Sequence, residues 1–460
     1  MDQLLTVSAA DFGAYPNTDE FMDAPIQKAI DSVFRAGGGE VVVPTGIYRV
    51  TGLRIRSNVT LHLMEYAVRL GSRDPDDYFI LKHDKVEPVG DNELDESDWV
   101  REAGGPKMFH VYGSRWHNAV IRAYKAENIA IIGERGSVID GNNCFDPGGE
   151  EHYRGPHGIS VINCDHVLLR GYTARNTGNW AHDIQNTNNL LVENVTALAG
   201  HDGVHITTCE DVIIKGCEFY TGDDCVAGFD NRNVLVEDCI LNTACSAFRF
   251  GGSNVLIHHC SVFAPPRYLF RGEMSDEEKR NGIMANDAEF AKDAQRNYML
   301  SLFTYYADGS VKIRHPATNI VIRDCEVDGP QRFLHFNYSG NETWQNNRPL
   351  LDIKFENIIA KNIQMPLTAY GDSESPLDIS FENIDFSFKE GFEDCDFMHA
   401  ANFSRIRLKN VRVANARGGC LIKSWSRAGE GLIELAGLKC GIPDENLVRY
   451  TDEEFVCQPI

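Results

Sequence analysis

Three aspartates carry most of the chemistry this sequence offers. Asp202 lies in Gly200-His201-Asp202-Gly203-Val204-His205-Ile206, and the other two in Gly222-Asp223-Asp224-Cys225-Val226-Ala227-Gly228. Asp202 and Asp224 are 22 residues apart. In a chain that coils with that period they stack about 4.8 Å apart along the axis, with Asp223 beside them. Stacked like charges repel, so such a group favours holding a proton. A protonated acid beside an ionised carboxylate is what acid–base hydrolysis uses. The competing reading is that the aspartates only cap turns.

The elements that must position them form a repeat. A small or polar residue followed by alternating β-branched and polar residues recurs at His166-Val167-Leu168-Leu169, Asn189-Leu190-Leu191-Val192, Asp211-Val212-Ile213-Ile214, Asn233-Val234-Leu235-Val236 and Asn254-Val255-Leu256-Ile257. It returns at Ile320, Ile353, Ile379, Ile406 and Ile433. Coils of about 21–27 residues with almost no helical periodicity between them indicate a solenoid, and each coil must bury its inner face on its neighbours. The expected fold is all-β: a parallel β-helix, one domain over residues 1–460.

Cys217, Cys239, Cys260 and Cys325 each lie five residues after Val212, Val234, Val255 and Ile320. Equal offsets put them in one inward column of free thiols, and no Cys-x-x-Cys pair has zinc spacing. No metal and no organic cofactor is expected.

Ahead of the repeat, Ile26, Ile30, Val33 and Phe34 have helical spacing and Gly37-Gly38-Gly39 ends the helix. This N-terminal cap, about residues 1–40, would cover the first coil's open edge. The first strands follow at residues 40–44 and 58–63. Insertions at about 72–118 and 264–318 break the rhythm. The second is expected to be helical from Ser275 to about Ala307 and, with Phe290, Tyr298, Phe303, Tyr305 and Tyr306, to wall a groove.

With 67 acidic against 44 basic side chains, the net charge of −23 argues against nucleic acid or an anionic membrane as partner. No run of 18 apolar residues is present. The start, Met1-Asp2-Gln3-Leu4-Leu5-Thr6-Val7, has neither the basic nor the apolar region of a signal peptide. A cytoplasmic location is therefore expected of the chain as written, although an exported chain whose leader had been removed would show the same sequence.

The motifs resemble the polygalacturonase-type glycoside hydrolases (family 28, of the pectin-lyase-like superfamily). The resemblance begins at Asp11-Phe12-Gly13-Ala14 and runs through the triple glycine, Val43-Pro44-Thr45-Gly46-Ile47-Tyr48, Ile139-Asp140-Gly141 and Asn176-Thr177-Gly178-Asn179-Trp180. It is most specific at His201-Asp202-Gly203-Val204, similar to the family's Asn-Thr-Asp-Gly, and at Gly222-Asp223-Asp224-Cys225, which matches its Gly-Asp-Asp-Cys. It covers residue 11 to about 260. It implies a single-stranded right-handed parallel β-helix, with Asp223 as the general acid and Asp202 and Asp224 holding and deprotonating the attacking water, which gives inversion.

Two departures bear on the substrate. Where the family carries Gly-His-Gly, this chain reads Cys245-Ser246-Ala247-Phe248-Arg249. The family's Arg-Ile-Lys, which grips a galacturonate carboxylate, has no clean equivalent. Lys312-Ile313-Arg314 has reversed polarity. The cluster is thus expected to act on something other than ordinary polygalacturonate.

Strand alternation turns Val204, Ile206, Val226, Gly228, Phe248 and Phe250 inward and His205, Ala227 and Arg249 outward. His205 is a candidate for a water or a sugar hydroxyl, and Arg249 for an anionic substituent or for balancing the acids. Asp183 would extend the column to an upper subsite. Trp180 and His182 are candidate sugar contacts, and His201 a neighbour acting on Asp202. Arg271, Arg267 and Trp344 are candidate groove walls. The leading expectation is a glycosidase cleaving a pectin-related or other plant oligosaccharide, exo-acting behind a groove blocked by the insertions. A polysaccharide lyase or epimerase, and a non-catalytic carbohydrate-binding β-helix, are the rivals. Sugar, linkage and oligomeric state are left open.

Overall fold

The computed structural model describes residues 5–78, 116, 118–307, 313–339 and 347–452. Most of the first insertion, with Lys312 and Trp344, lies outside them. The chain divides into two compact units, Met1–Asp223 with Tyr268–Arg296, and Asp224–Arg267 with Asn297–Ile460. Each is a stack of right-handed parallel β-helix coils.

In the first unit three parallel sheets run along the stack. The sheet that bears the candidate site comprises Leu53–Ile55, Ala119–Tyr124, His157–Ile162, His182–Gln185 and Val204–Thr207. The 22-residue period is its register, since His182 pairs with Val204 and Asp183 with His205. In the second sheet Val167 lies against Leu190 and Leu190 against Val212. In the second unit the same phrase keeps Val234, Val255, Ile320, Ile353, Ile379, Ile406 and Ile433 in one column.

The first residue of the phrase has a backbone reason. His166, Asn189, Asp211, Asn233, Asn254 and Asn319 all adopt φ of 52–56°, the left-handed region. The coil turns there between two sheets, and Asn and Asp tolerate that conformation best among side chains with a Cβ. The asparagines also pair along the stack. Asn254 Nδ2 donates to Asn233 Oδ1 at 3.1 Å, and Asn319 Nδ2 donates to Asn254 Oδ1 at 2.9 Å.

Alternation places Val204, Ile206, Phe248 and Phe250 inside as expected. Cys217, Cys239, Cys260 and Cys325 are buried thiols outside any disulfide. The Cys260 thiol is pushed up strongly by side-chain hydrogen bonds with Cys239 and then Cys325, and by burial, whereas the hydrogen bond from Cys260 lowers Cys325.

The cap is a helix at Asp23–Arg35 that buries Ile26, Ala29, Ile30 and Val33. Gln27 does more than the pattern foretold. Its amide donates to Arg54 O at 3.0 Å and accepts from Arg54 N at 2.8 Å, so it satisfies the backbone at an open strand edge. The triple glycine is required: all three have positive φ, and a Cβ on Gly39 would sit 2.1 Å from Leu5 O.

The long helix expected from Ser275 to Ala307 is corrected. Ser275 does cap a helix, with Glu278 closing a capping box, but that helix spans Asp276–Asn281 and a second spans Ala288–Asp293. Ser301–Tyr305 is a strand of the ladder, with Phe303 inward against Phe248 and Leu334. Aromatic residues alternating with small polar ones, as in Phe303-Thr304-Tyr305, favour a pleated strand over a helix. Among the described residues no helix is long and apolar enough to cross a membrane.

The left-handed turn can be tested at Asn254. Asn254→Val is expected to lower unfolding stability by about 2–3 kcal/mol through backbone strain and the lost amide ladder. Asn254→Gly, which removes only the ladder, is expected to lose about 1 kcal/mol; urea denaturation distinguishes the two.

Candidate active site

Asp202 sits in the turn before the strand Val204–Thr207, which presents His205 on its outward face. His205 Nδ1 meets Asp202 Oδ2 at 2.8 Å. The Trp180 indole lies flat on the His205 imidazole, with centroids 3.7 Å apart and planes 7° from parallel. Trp116 and His157 pack against Trp180 in turn, at 5.1 and 5.3 Å. Three of the expected site residues, Asp202, His205 and Trp180, are thus one contact group. Its histidine is fixed by a carboxylate on one nitrogen and by an aromatic face.

Asp223 has a partner the sequence reading missed. Its Oδ2 accepts from Arg154 Nη2 at 3.2 Å. Arg154 Nε lies 3.0 Å from Glu151 Oε2 and 3.5 Å from Glu150 Oε2, while Nη1 donates to Asn179 Oδ1 at 3.3 Å. One buried guanidinium therefore serves three carboxylates. Burial would lower its pKa, but Tyr153 and the three acids raise it well above the ordinary range, so it remains a cation. Arg154 arrives on a loop between the strands Val138–Asp140 and His157–Ile162 that folds back on itself through an antiparallel bridge of Phe145 with Arg154. The signal was present: Asp146-Pro147-Gly148-Gly149 followed by Glu150-Glu151-His152-Tyr153-Arg154-Gly155-Pro156 packs charged residues between turn formers and breaks the coil rhythm.

Glu150 is strongly perturbed by its burial. Burial first, and the nearby charges of Glu151 and Asp202, push it up to about 7 against the opposing effects of Arg154 and of Asn179, which donates to it at 3.3 Å.

Other expected contacts sit elsewhere. His182 faces the helix interior: Tyr172 OH meets its Nε2 at 3.0 Å and Gly203 O its Nδ1 at 2.8 Å. Burial lowers its pKa to about 4. The 22-residue period already places it under the inward Val204. Asp183 keeps the outward column but is buried, with Ser160 Oγ at 2.9 Å and Gln185 Nε2 at 2.8 Å. His201 is buried between Tyr153, stacked at 5.6 Å, and Phe270. Burial, then the charges of Arg154 and Arg271, hold it well below its ordinary value.

Arg271 is a staple within the first unit rather than an open groove wall. Its guanidinium donates to the carbonyls of Asn143, Cys144 and Gly178 at 2.8–3.2 Å, and its backbone N–H donates to Gly200 O. The insertion so fixed touches the turn that carries the aspartates: a Cβ on Gly222 would lie 2.0 Å from Leu269 O.

In the second unit Asp224 Oδ1 accepts from Ser246 N at 3.0 Å. Arg249 points outward as expected, with its guanidinium 4.8 Å from the Tyr306 ring centroid.

Residues 104–246, which include the Asp202 and Asp223-Asp224 motifs, match the family model of glycosyl hydrolases family 28. A probable polygalacturonase of Vitis vinifera is 24% identical over 50% of this chain and 46% of its own length. The chain spans about half the length of the curated relatives it matches. Among solved structures, a hyperthermoactive exopolygalacturonase of Thermotoga maritima aligns with 89% of this chain and 91% of its own, at 15% identity and a TM-score of 0.59. A family 28 exopolygalacturonase of Yersinia enterocolitica aligns with 96% and 79%, at 14% identity and a TM-score of 0.54. Those two likenesses establish the fold. Over residues 104–246 this right-handed parallel β-helix chain is similar to the polygalacturonase-type glycoside hydrolases.

Glu150 sets a pH expectation. Its native pKa of about 7 lies above its ordinary 4.5, so the native state holds a proton the unfolded chain gives up. The associated stability is complete below pH 4.5 and is lost as pH rises through 7, by at most about 3 kcal/mol. Glu150→Gln is expected to flatten the stability profile over that window, measured by denaturation at a series of pH values.

Proposed function

We propose that this protein is a glycoside hydrolase that cleaves a pectin-related or similar plant oligosaccharide by inverting acid–base catalysis, without metal or organic cofactor, and from the chain end. The carrying observation is that Asp202 and Asp223, on consecutive coils of one unit, are held by opposite kinds of partner: an imidazole stacked on tryptophan for Asp202, and a shared buried guanidinium for Asp223. Two carboxyl groups in different environments can take different roles.

In this reading Asp223 protonates the leaving glycosidic oxygen, and Asp202 with Asp224 orients and deprotonates the attacking water. His205 fixes the Asp202 carboxylate, and Arg154 holds Asp223 in place. Because Arg154 is shared with Glu150 and Glu151, its charge is not committed to Asp223 alone. Exo action is supported by the stapled insertion, whose backbone abuts Gly200 and Gly222 and so narrows the site from one side. Arg249 is the residue proposed to meet an anionic substituent of the sugar.

The test is incubation with galacturonate oligosaccharides and neutral plant oligosaccharides while the product anomers are followed by proton NMR. The first product formed is expected to have inverted configuration; a retained anomer overturns the mechanism. Asp223→Asn is expected to cut kcat by about 10³-fold or more, in line with loss of a positioned general acid. Unchanged turnover in that variant would remove Asp223 from the chemistry.

A further inference from the structure

The grouping of Asp202, His205 and Trp180 has a counterpart in the second unit. Asp396-Phe397-Met398-His399 repeats the Asp-x-x-His spacing, with the histidine on the strand Met398–Ala401. His399 Nε2 lies 2.8 Å from Asp396 Oδ2, and Trp425 packs edge-on against the imidazole at 5.3 Å. Burial would raise the Asp396 carboxyl, but hydrogen bonds from His399 and from Cys420 hold it well below the usual carboxylate range, so it is a fixed acceptor.

Two differences separate the sites. The second pair is open: the His399 and Asp396 side chains are 24% and 21% exposed, against 9% and 4% for His205 and Asp202. It also continues into a line of positive charge. His399 pairs in register with Lys423, and Lys423 with Arg449. Successive rungs are about 4.8 Å apart, so two permanent cations follow the histidine along one outward column. The Lys423 ammonium lies 5.2 Å from the Trp425 ring centroid, and Tyr370 supports that ring from its edge at 5.9 Å. In a chain with 67 acidic and 44 basic side chains, such a run of cations on one face is against the prevailing charge.

Regularly spaced cations beside an aromatic ring, with a histidine and a carboxylate to meet hydroxyls, match a ligand that carries a carboxylate on each of several linked rings. From this we propose that His399, Lys423, Trp425 and Arg449 form a second, non-catalytic binding site for an acidic, uronate-containing oligosaccharide. The cations meet successive carboxylates, Trp425 meets the apolar face of a ring, and the Asp396–His399 pair meets hydroxyls. The site does not depend on the hydrolytic reading.

The five tryptophans make the experiment direct. The full chain, labelled with ¹⁵N-tryptophan, gives one indole N–H signal per residue, and Trp425→Phe and Trp180→Phe assign the two that matter. Trigalacturonate is expected to shift the Trp425 signal saturably. The double variant Lys423→Gln, Arg449→Gln should need at least tenfold more ligand for the same shift. Uncharged galactotriose should leave the signal in place at those concentrations. The proposal is overturned if trigalacturonate does not move the Trp425 signal, if the double variant responds like the parent, or if galactotriose acts equally. Unmoved positions of the other indole signals in the double variant verify its fold. The Trp180 signal reports the candidate active site separately, so failure of one reading is distinguished from failure of the other.

Discussion

The register of the parallel ladder, kept at the turns and interrupted by only local shifts, is the constraint on which every other placement rests. A coil can stack on the next only if it turns at the same point, and here the turn is made by a residue held in the left-handed region, most often asparagine. Once those turns align, inward residues become a continuous core and outward residues become straight columns, one residue per rung. The columns explain why Asp183 lies beside His205, and why His399, Lys423 and Arg449 form a line. A slip of one residue would exchange core and surface along the whole strand.

On that scaffold the candidate site is an exercise in charge balance. Arg154 is the cation that lets Glu150, Glu151 and Asp223 share one partly buried pocket, and Glu150 answers by holding its proton up to about pH 7. An uncompensated carboxylate in such surroundings costs several kcal/mol, so the loop that delivers Arg154 belongs to the site as much as the strands do. The insertion contributes differently. Arg271 directs both terminal guanidinium nitrogens to the carbonyls of Asn143, Cys144 and Gly178, and its backbone N–H to Gly200 O in the turn before Asp202.

Residue type and spacing singled out His205, Trp180 and the aspartates as candidates because each belongs to a local motif or to the coil period, and the structure brings Asp202, His205 and Trp180 into contact. Both signals survive folding unchanged. Where two expectations conflicted, the period was the better guide: His182 was read as a sugar contact beside Trp180, yet its position one coil before Val204 turns it inward. The insertion misled for the opposite reason. Its short strand at Ser301–Tyr305 lies far in sequence from its neighbours, and only pairing with Ser246–His258 and Arg332–Asn337 makes it a strand.

The sequence by itself determined the coil, its inner and outer faces, the thiol column and the two aspartate motifs, because each is a short-range pattern that repeats. Only the tertiary structure decided what those groups touch. Arg154 reaches Asp223 across 69 residues, and Arg271 reaches Asn143 across 128. Such pairs are chosen by where loops of irregular length come to rest against the coils, and no periodicity encodes that. The aspartates with which the chain's chemistry begins were legible from spacing alone, whereas the cation that Asp223 shares with Glu150 and Glu151 was not.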